Sequence, residues 1–250
     1  MIDLHCHILP EIDDGSGSID ESIALLKLQQ KQGIDKLVFT PHFNFGKISI
    51  EDFVRARAES FERLSADERF QTIGIETKLG AEVYFSMKLI ESDVDPLCFE
   101  GTNYILIEFP FNSRPYGIKE TMTNLLDRGY SPILAHVERY AFFTADPTKL
   151  YDLIMMGCLA QVNASAVIKA SGSPNALQYI KWELAHIICS DAHSIKRRPP
   201  NTKAAYRYTE KKLGTQYTDW LIENSSNIFN GNSVDLPVIK KPRKFLFRWI

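Results

Sequence analysis

The chain has 250 residues, of which 44% are hydrophobic and 24% charged, so it is long enough for a sizeable core and unlike a disordered protein. Its 29 Lys and Arg residues nearly balance 31 Asp and Glu residues, and a formal net charge of -2 excludes nucleic-acid binding through bulk positive charge. We find no stretch of the roughly 18 apolar residues that a membrane-spanning helix needs, and no secretory signal pattern.

Short apolar runs alternate with helical patterns along the chain. The predicted strands span residues 2–7, 36–40, 77–81, 104–108, 132–136, 159–163 and 186–190. The predicted helices span residues 18–32, 50–66, 119–128, 147–156, 174–183 and 201–213, with a weaker helix over 85–91. This alternation is typical of an α/β protein with a parallel sheet or barrel, and we predict one such domain over residues 1–235.

The remaining residues, 236–250, are predicted to form a separate tail. Its last eleven residues read KKPRKFLFRWI, with five basic side chains, no acidic ones and three aromatic rings. Three interpretations stay open for this basic and aromatic composition: contact with anionic lipid or a membrane-bound partner, packing on the barrel, or disorder.

The four cysteines of the chain are far apart in sequence and form no Cys-x-x-Cys pair. They are Cys6, Cys98, Cys158 and Cys189. Their apolar surroundings are typical of buried, reduced thiols, which predicts a cytoplasmic protein rather than a secreted one held by disulfides.

Histidines and carboxylates recur at the ends of the predicted strands. The first strand carries His5 and His7, whose side chains point to the same face while that of Cys6 points to the other. Other strand ends carry His42, Glu82, Glu108, His136, Asp191 and His193. Because the carboxyl ends of barrel strands share one face, these residues are expected to converge, and Asp14 or its neighbour Asp13 can join them from the first loop.

Imidazole and carboxylate donors without thiolate favour manganese, iron or zinc. The set is too large for one ion, so we predict two or three divalent ions, with Glu82 as a bridging ligand. Three ions would bring six positive charges against four carboxylates, and the surplus suits a phosphate dianion. Arg139 and Arg198 follow two of the motifs and can bind phosphate, although surface ion pairs are the alternative. The pattern therefore predicts hydrolysis of a phosphate ester. We expect His186 to be structural and Glu138 to face away.

These residues resemble the polymerase-and-histidinol-phosphatase (PHP) family of metal hydrolases. More narrowly, the sequence is similar to the manganese-dependent protein-tyrosine phosphatases encoded with bacterial capsule and exopolysaccharide genes, and the matching motifs are MIDLHCHILPEIDDG, TPH, GAEV, LIEFPF, HVER, AQVNAS and SDAH. The resemblance implies a distorted seven-stranded TIM-like (β/α)7 barrel. It implies metal ligands at His5, His7, Asp14, His42, Glu82, Glu108, His136, Asp191 and His193, and phosphate-contacting arginines at Arg139 and Arg198. Val137 stands where the family usually has proline, which weakens the case for Arg139.

The expected reaction is hydrolysis of phosphotyrosine, and the expected substrate is a membrane-associated bacterial tyrosine kinase. A thiol mechanism is excluded because no cysteine is followed six positions later by arginine, as the Cys-x5-Arg loop requires. Alternatives are a small-molecule phosphatase of the same family, such as one for histidinol phosphate, and a metal-loaded scaffold that binds a kinase without catalysis. An amidohydrolase is disfavoured because Asn163 and Ser165 stand where that pattern requires histidine.

Aromatic residues are frequent on the loops of the predicted catalytic face. They are Phe43, Phe45, Tyr84, Phe85, Phe111, Tyr116, Tyr140, Phe142 and Phe143. We expect some of them to wall the metal site with apolar surface for a phenyl ring and the others to lie in the core.

Overall fold

The structure is a computed structural model that describes residues 1–169, 175–236, 239, 241–245 and 248–249. The strands are β1 (Ile2–Cys6), β2 (Lys36–Phe39), β3 (His42–Phe43), β4 (Glu76–Leu79), β5 (Glu82–Tyr84), β6 (Tyr104–Glu108), β7 (Ser131–Leu134), β8 (Leu159–Asn163), β9 (Ile187–Cys189), β10 (Lys244–Phe245) and β11 (Arg248–Trp249). The helices are α1 (Ile19–Lys31), α2 (Ile50–Ser65), α3 (Glu68–Gln71), α4 (Ile118–Asp127), α5 (Ala141–Ala145), α6 (Thr148–Met155), α7 (Ala164–Lys169), α8 (Ala176–Lys181), α9 (Thr202–Leu213) and α10 (Thr215–Asn230).

The strands β1 to β9 pair in parallel in the order β1-β2-β4 and β3-β5-β6-β7-β8-β9. The two sheets are continuous, because the pairing of β2 with β4 and that of β3 with β5 have the same register. Lys36 pairs with Glu76 in β2 and β4, and His42 pairs with Glu82 in β3 and β5. Between them, the Gly80 amide donates to the Phe39 carbonyl at 2.8 Å, and hydrogen bonding continues across the break. The protein thus has the predicted α/β fold with a parallel sheet.

The sheet is curled, so that β9 lies beside β1. The Asp191 amide donates to the His5 carbonyl at 2.9 Å, and the His7 amide donates to the Ala192 carbonyl at 2.8 Å. The predicted count of seven strands is not confirmed, because the predicted strands over residues 36–40 and 77–81 are each followed, after a break, by a short strand that was not predicted, β3 and β5. The break before His42 contains Pro41, which has no amide hydrogen to donate. The break before Glu82 contains Gly80, where a Cβ would lie 2.7 Å from the Phe99 ring.

Side-chain alternation along β6 places one apolar layer on each side of the strand. Leu106 belongs to the layer that also holds Leu4, Ile133 and Ile187. Ile107 belongs to the layer that packs under the surrounding helices. Because Glu108 follows Leu106 by two residues, its carboxylate continues the first layer toward the carboxyl end of the sheet. The apolar runs of the strands therefore end in polar groups at one face.

Helix bounds depart from the predictions where polar residues interrupt the pattern. Helix α10 was missed because Asn224, Ser225, Ser226 and Asn227 disguise an apolar face that buries Leu221 and Ile228. Helix α7 was missed because it follows β8 without a loop. The predicted helix 174–183 is α8, with Asn175 as its N-cap, and Pro174 lies outside the described residues. The weak helix at 85–91 is a 3-10 turn over Met87–Ile90.

Part of the tail 236–250 packs on the domain. Ile239 is buried against the core, and Lys241 Nζ lies 3.6 Å from Asp152 on α6. Strands β10 and β11 form an antiparallel pair. Residues 237–238, 240, 246–247 and 250 of the predicted tail lie outside the described residues. Of the helices that the structure describes, none combines the length and apolar character needed to cross a bilayer.

Candidate metal centre

His5 on β1 and His7, directly after it, lie close together at the carboxyl end of the sheet. His5 Nε2 and His7 Nε2 are 3.1 Å apart, and both side chains are buried. Cys6 packs in a separate apolar cluster with Ile23 and Leu26 of α1, as strand alternation predicts. Two imidazole nitrogens converge on one point at the end of the strand.

Glu82 lies at the centre of the predicted site residues. Its Oε2 is 3.3 Å from His5 Nε2, 3.1 Å from His7 Nε2 and 3.0 Å from His42 Nδ1. Its Oε1 is 2.9 Å from His136 Nε2. Burial opposes the charge of this carboxylate, but the surrounding imidazoles, His5 foremost, hold the pKa of Glu82 well below its usual range. One carboxylate therefore links four histidines from three strand ends.

Glu108 is the second buried carboxylate of the cluster. It lies 3.6 Å from His136 Nε2 and 3.8 Å from His42 Nδ1. Burial, together with the negative charge of Glu82, raises the pKa of Glu108 to about 7. A cation between the two carboxylates would relieve this repulsion.

The first loop distinguishes Asp13 from Asp14. Asp13 Oδ2 is 2.7 Å from His7 Nδ1 and accepts the His42 amide at 3.0 Å, so this carboxylate supports His7 from behind. Asp14 is 68% exposed, and its Oδ1 lies 3.3 Å from His42 Nε2 and 3.5 Å from His193 Nε2. Asp14 thus faces the open side of the histidine cluster, as predicted, while Asp13 occupies the other ring nitrogen of His7.

The backbone turns sharply at two of the predicted site residues. His136 has φ of 30° and Asp191 has φ of 51°, a left-handed conformation that residues other than glycine rarely adopt. Such local strain is often found at functional sites. The turn at Asp191 places its Oδ1 3.5 Å from both His5 Nε2 and His193 Nδ1.

The two predicted arginines flank Asp191. Arg198 donates to Asp191 Oδ2, and its Nη1 lies 2.9 Å from His193 Nε2. Arg139 Nη1 is 3.6 Å from Asp191 Oδ2, and its guanidinium lies over the Phe111 ring at 4.2 Å. Each arginine side chain is somewhat more than a third exposed. Both guanidinium groups are therefore within reach of a ligand at this face.

All nine predicted metal-site residues come together in one cluster. Three overlapping groups have donor atoms within 4.8 Å of one another: His7, Asp14, His42 and His193; His5, His7 and Glu82; His42, Glu82 and Glu108. His136 and Asp191 contact these groups at the distances given above. The three groups share residues and offer nitrogen and oxygen donors, which fits more than one divalent cation. The raised pKa of Glu108 fits a nearby cation as well.

Sequence reasoning missed two buried amide side chains beside the cluster. Gln161 and Asn163 lie on β8, and the Gln161 oxygen is 3.2 Å from His5 Nδ1. The sequence feature that could have indicated them is a pair of polar residues, two positions apart, in an otherwise apolar strand. Glu138 does not join the cluster, but its Oε1 accepts the Asn163 amide at 3.3 Å, and burial raises its pKa to about 8. His186 is buried away from the cluster and accepts the Ala160 amide at 3.0 Å, as a structural histidine would.

A cleft of about 910 Å³ opens beside the cluster. Three cluster residues line it: Asp14, His42 and Glu108. Its other lining residues include the apolar and aromatic side chains Ile12, Phe43, Ile48, Phe53, Tyr84 and Phe111. Three of the nine aromatic residues considered from the sequence thus line the cleft, while Tyr140 and Phe143 are buried in the core.

A curled parallel sheet with histidines and carboxylates gathered at its carboxyl face defines the chain as an α/β protein with a candidate polynuclear metal centre. The chain belongs to the CpsB/CapC family of capsular polysaccharide synthesis, whose model matches residues 1–230.

Similar proteins agree with this assignment. The chain is 31% identical over 240 residues to tyrosine-protein phosphatase YwqE of Bacillus subtilis, covering 94% of this chain and 93% of that protein. It is 35% identical over 225 residues to the putative tyrosine-protein phosphatase CapC of Staphylococcus aureus, covering 88% and 86%. A solved structure described as YwqE and CpsB, unique metal-dependent tyrosine phosphatases, superposes with a TM-score of 0.87 at 28% identity and covers 98% of this chain and 100% of that chain.

Proposed function

We propose that the protein is a metal-dependent tyrosine-protein phosphatase that hydrolyses phosphotyrosine on a protein substrate in the cytoplasm. The observation that carries this proposal is Glu82, a buried carboxylate in contact with four histidines, with two arginines at the edge of the same cluster. The similarity to named tyrosine phosphatases over nearly the whole chain supports the same reaction. We further propose that the two interrupted strands each count as one, which gives a distorted seven-stranded barrel of the PHP type.

The proposed cofactors are two or three divalent ions, manganese in the first place, with iron or zinc as alternatives. Their proposed ligands are the nine side chains predicted from the sequence, His5, His7, Asp14, His42, Glu82, Glu108, His136, Asp191 and His193. Divalent ions held there would supply Lewis acidity, which attracts phosphate oxygens and favours ionisation of water near neutral pH.

The side chains of the chain itself bind and orient the phosphate. Arg198 and Arg139 donate hydrogen bonds to its oxygens, and these bonds strengthen as negative charge builds up during hydrolysis. Because Asp191 already holds Arg198, the guanidinium is oriented before substrate binds. Asp13 holds Nδ1 of His7, so that Nε2 faces the cluster.

The leaving group is the phenolate of tyrosine, whose pKa of about 10 makes it a better leaving group than the alkoxide of serine or threonine. The apolar cleft beside the cluster offers Phe111 and Tyr84 as surfaces for the phenyl ring. A cysteine nucleophile is not required, and all four cysteines are free and buried. Burial raises the pKa of Cys158 to about 12, far from that of a reactive thiolate.

The proposed protein substrate is a membrane-associated bacterial tyrosine kinase that controls capsule or exopolysaccharide synthesis. A basic surface supports peripheral contact with such a membrane. It consists of Arg114, Lys119, Lys149 and Lys241, gathered around Asp152. The described tail adds two exposed basic side chains, Arg243 and Lys244. Clustered cations beside aromatic residues are typical of segments that bind anionic lipid.

The test is turnover of a phosphotyrosine peptide by the purified protein before and after chelation. Since histidine and carboxylate ligands release their ions to a strong chelator, activity should fall at least a hundredfold and return on addition of Mn²⁺. Alkylation of accessible thiols should leave it unchanged. Full activity in excess chelator would contradict a metal mechanism, and ion binding without turnover would support a scaffold instead.

Substrate class is tested by comparing kcat/KM for phosphotyrosine, phosphoserine and phosphothreonine peptides and for histidinol phosphate at saturating Mn²⁺. We expect phosphotyrosine to be preferred at least tenfold, because only its ring fills the apolar cleft. A preference for histidinol phosphate would assign the protein to small-molecule phosphatases.

A further inference from the structure

Two amide side chains on β8 are buried beside the candidate metal centre and have no part in the proposed mechanism. Gln161 is fully buried and Asn163 is 6% exposed. Two residues apart on a strand, they lie on the same face. Buried amides without well-matched partners are costly, so the partners of these two indicate what the side chains do.

The backbone amide of His136 fixes the orientation of Gln161. This amide donates to Gln161 Oε1 at 2.6 Å, and a backbone N–H can only donate, so the side-chain atom there must be the oxygen. The same oxygen lies 3.2 Å from His5 Nδ1. Since a carbonyl oxygen can only accept, His5 Nδ1 carries a hydrogen, and Nε2 faces Glu82 and His7.

The orientation of Gln161 determines that of Asn163. Gln161 Nε2 donates to Asn163 Oδ1 at 2.7 Å, which leaves Asn163 Nδ2 to donate to Asp191 Oδ2 at 2.7 Å. The backbone amide of Asn163 is itself held by Glu138. The hydrogen bonds therefore run in one direction, from the backbone of His136 through both amides to Asp191.

We propose that Gln161 and Asn163 are positioning residues of the metal centre. Gln161 keeps His5 in the Nδ1–H form that offers Nε2 to a metal, and Asn163 holds the carboxylate of Asp191. Both amides are neutral, so they orient ligands from β1 and from the turn after β9 without changing the charge that a phosphate would meet. This inference rests on the proposed metal centre.

The experiment measures Mn²⁺ affinity by calorimetry on metal-stripped protein, together with the Tm of the metal-free form. Asn163→Leu keeps the branched shape of the side chain and removes both of its hydrogen bonds. We expect Mn²⁺ affinity to fall about 10- to 100-fold, as is typical when an outer partner of a metal ligand is lost. Gln161→Met should have a similar effect. The double variant should lose little more than the worse single variant, because Asn163 depends on Gln161 for its orientation.

The matched control is Asn224→Leu. Asn224 is also buried, and its Nδ2 donates to the carbonyl of His186, away from the metal cluster. It should lower the Tm and leave Mn²⁺ affinity unchanged. If Asn163→Leu does not fold, Asn163→Ser, which leaves room for water, serves in its place with the same expected loss.

Wild-type Mn²⁺ affinity in Asn163→Leu or Asn163→Ser would overturn the inference and leave the proposed function intact. An effect on Tm equal to that of Asn224→Leu, with no effect on affinity, would reduce the amides to structural residues. Failure of the wild-type protein to bind Mn²⁺ would overturn the proposed metal centre and this inference with it.

Discussion

Arg198 contacts two residues of the candidate site and is also partly exposed to solvent at its open side. Its guanidinium contacts Asp191 and His193, yet 39% of the side chain is exposed. If this group stabilises charge on the phosphate during hydrolysis, Arg198→Ala should lower kcat about 10²- to 10³-fold. Arg198→Lys should recover only part, because lysine lacks the planar fork.

The control for this prediction is the neighbouring Arg197→Ala, since Arg197 carries the same charge and is exposed. It should retain wild-type kinetics. Equal kinetics for the Arg198 and Arg197 variants would indicate that Arg198 forms only a surface ion pair.

The burial of His186 predicts how the stability of the folded protein depends on pH. Burial lowers its pKa from 6.5 to about 3, so the ring is neutral in the folded protein while the unfolded chain binds a proton below pH 6.5. The contribution of His186 to stability is therefore present above pH 6.5 and is lost as the pH falls toward 3. Between pH 6.5 and pH 5 the loss should be about 2 kcal/mol.

Denaturant unfolding of the wild type and of His186→Gln at pH 7.5 and pH 5 measures this loss. Glutamine does not titrate, so the free energy of unfolding of the variant should fall less over this range, by about 2 kcal/mol. Parallel pH profiles for the two proteins would mean that His186 is protonated in the folded state.

At the scale of elements, the loop between β1 and α1 positions both Asp13 and Asp14. Gly15 is essential there, because an added Cβ would lie 2.1 Å from the His7 carbonyl oxygen. Gly15→Ala should therefore displace the loop and weaken Mn²⁺ binding at least about tenfold, since Asp13 would lose its contact with His7.

Gly17→Ala is the matched control in the same loop. A Cβ at Gly17 meets only Glu21 Oε2, at 3.8 Å, which is ordinary contact. Calorimetry with Mn²⁺ should distinguish the two variants. Equal affinity in both would show that the loop tolerates the shift and that neither aspartate depends on its present position.

Interruption of the sheet is a second property at this scale. His42 and Glu82 each begin a short strand after a break, and they pair with each other in register. The breaks at Pro41 and Gly80 leave the two side chains at one level of the sheet. The sequence predicted the strands before the breaks but not the short strands after them, because the hydrogen bonds that continue across the break belong to neighbouring strands.

For the molecule as a whole, the net charge is -2, yet Arg114, Lys119, Lys149 and Lys241 lie together around Asp152. The basic surface and the described part of the tail should bind vesicles that contain phosphatidylserine and not vesicles of phosphatidylcholine alone. Each basic residue near an anionic membrane contributes about 1 kcal/mol, so reversing Arg243 and Lys244 to Glu should weaken binding at least about tenfold.

Lys211→Glu with Lys212→Glu is the matched control, because both lysines are exposed at the end of α9. Cosedimentation with vesicles at low and high salt measures the effect, and turnover of a soluble phosphopeptide should be the same in all variants. Equal loss in both double variants would mean that binding follows net charge and not the tail.

The alternation of strands and helices could be predicted from the amino-acid sequence alone, and so could the convergence of nine histidines and carboxylates. Both follow from local signals: apolar runs with a period of two or 3.6 residues, and polar residues at the ends of those runs. Parallel strands share one carboxyl face, so residues as far apart as His5 and Asp191 were expected together before any contact was known.

The hydrogen bonds that orient those side chains are known only from the tertiary structure. Gln161 contacts His5 across 156 positions of sequence, and Asp13 rather than Asp14 takes the second nitrogen of His7. Helix α10 was likewise hidden from sequence patterns by its polar residues. The physical reason is the same in each case: burial and hydrogen-bond direction depend on register and orientation between distant segments, which no local pattern contains.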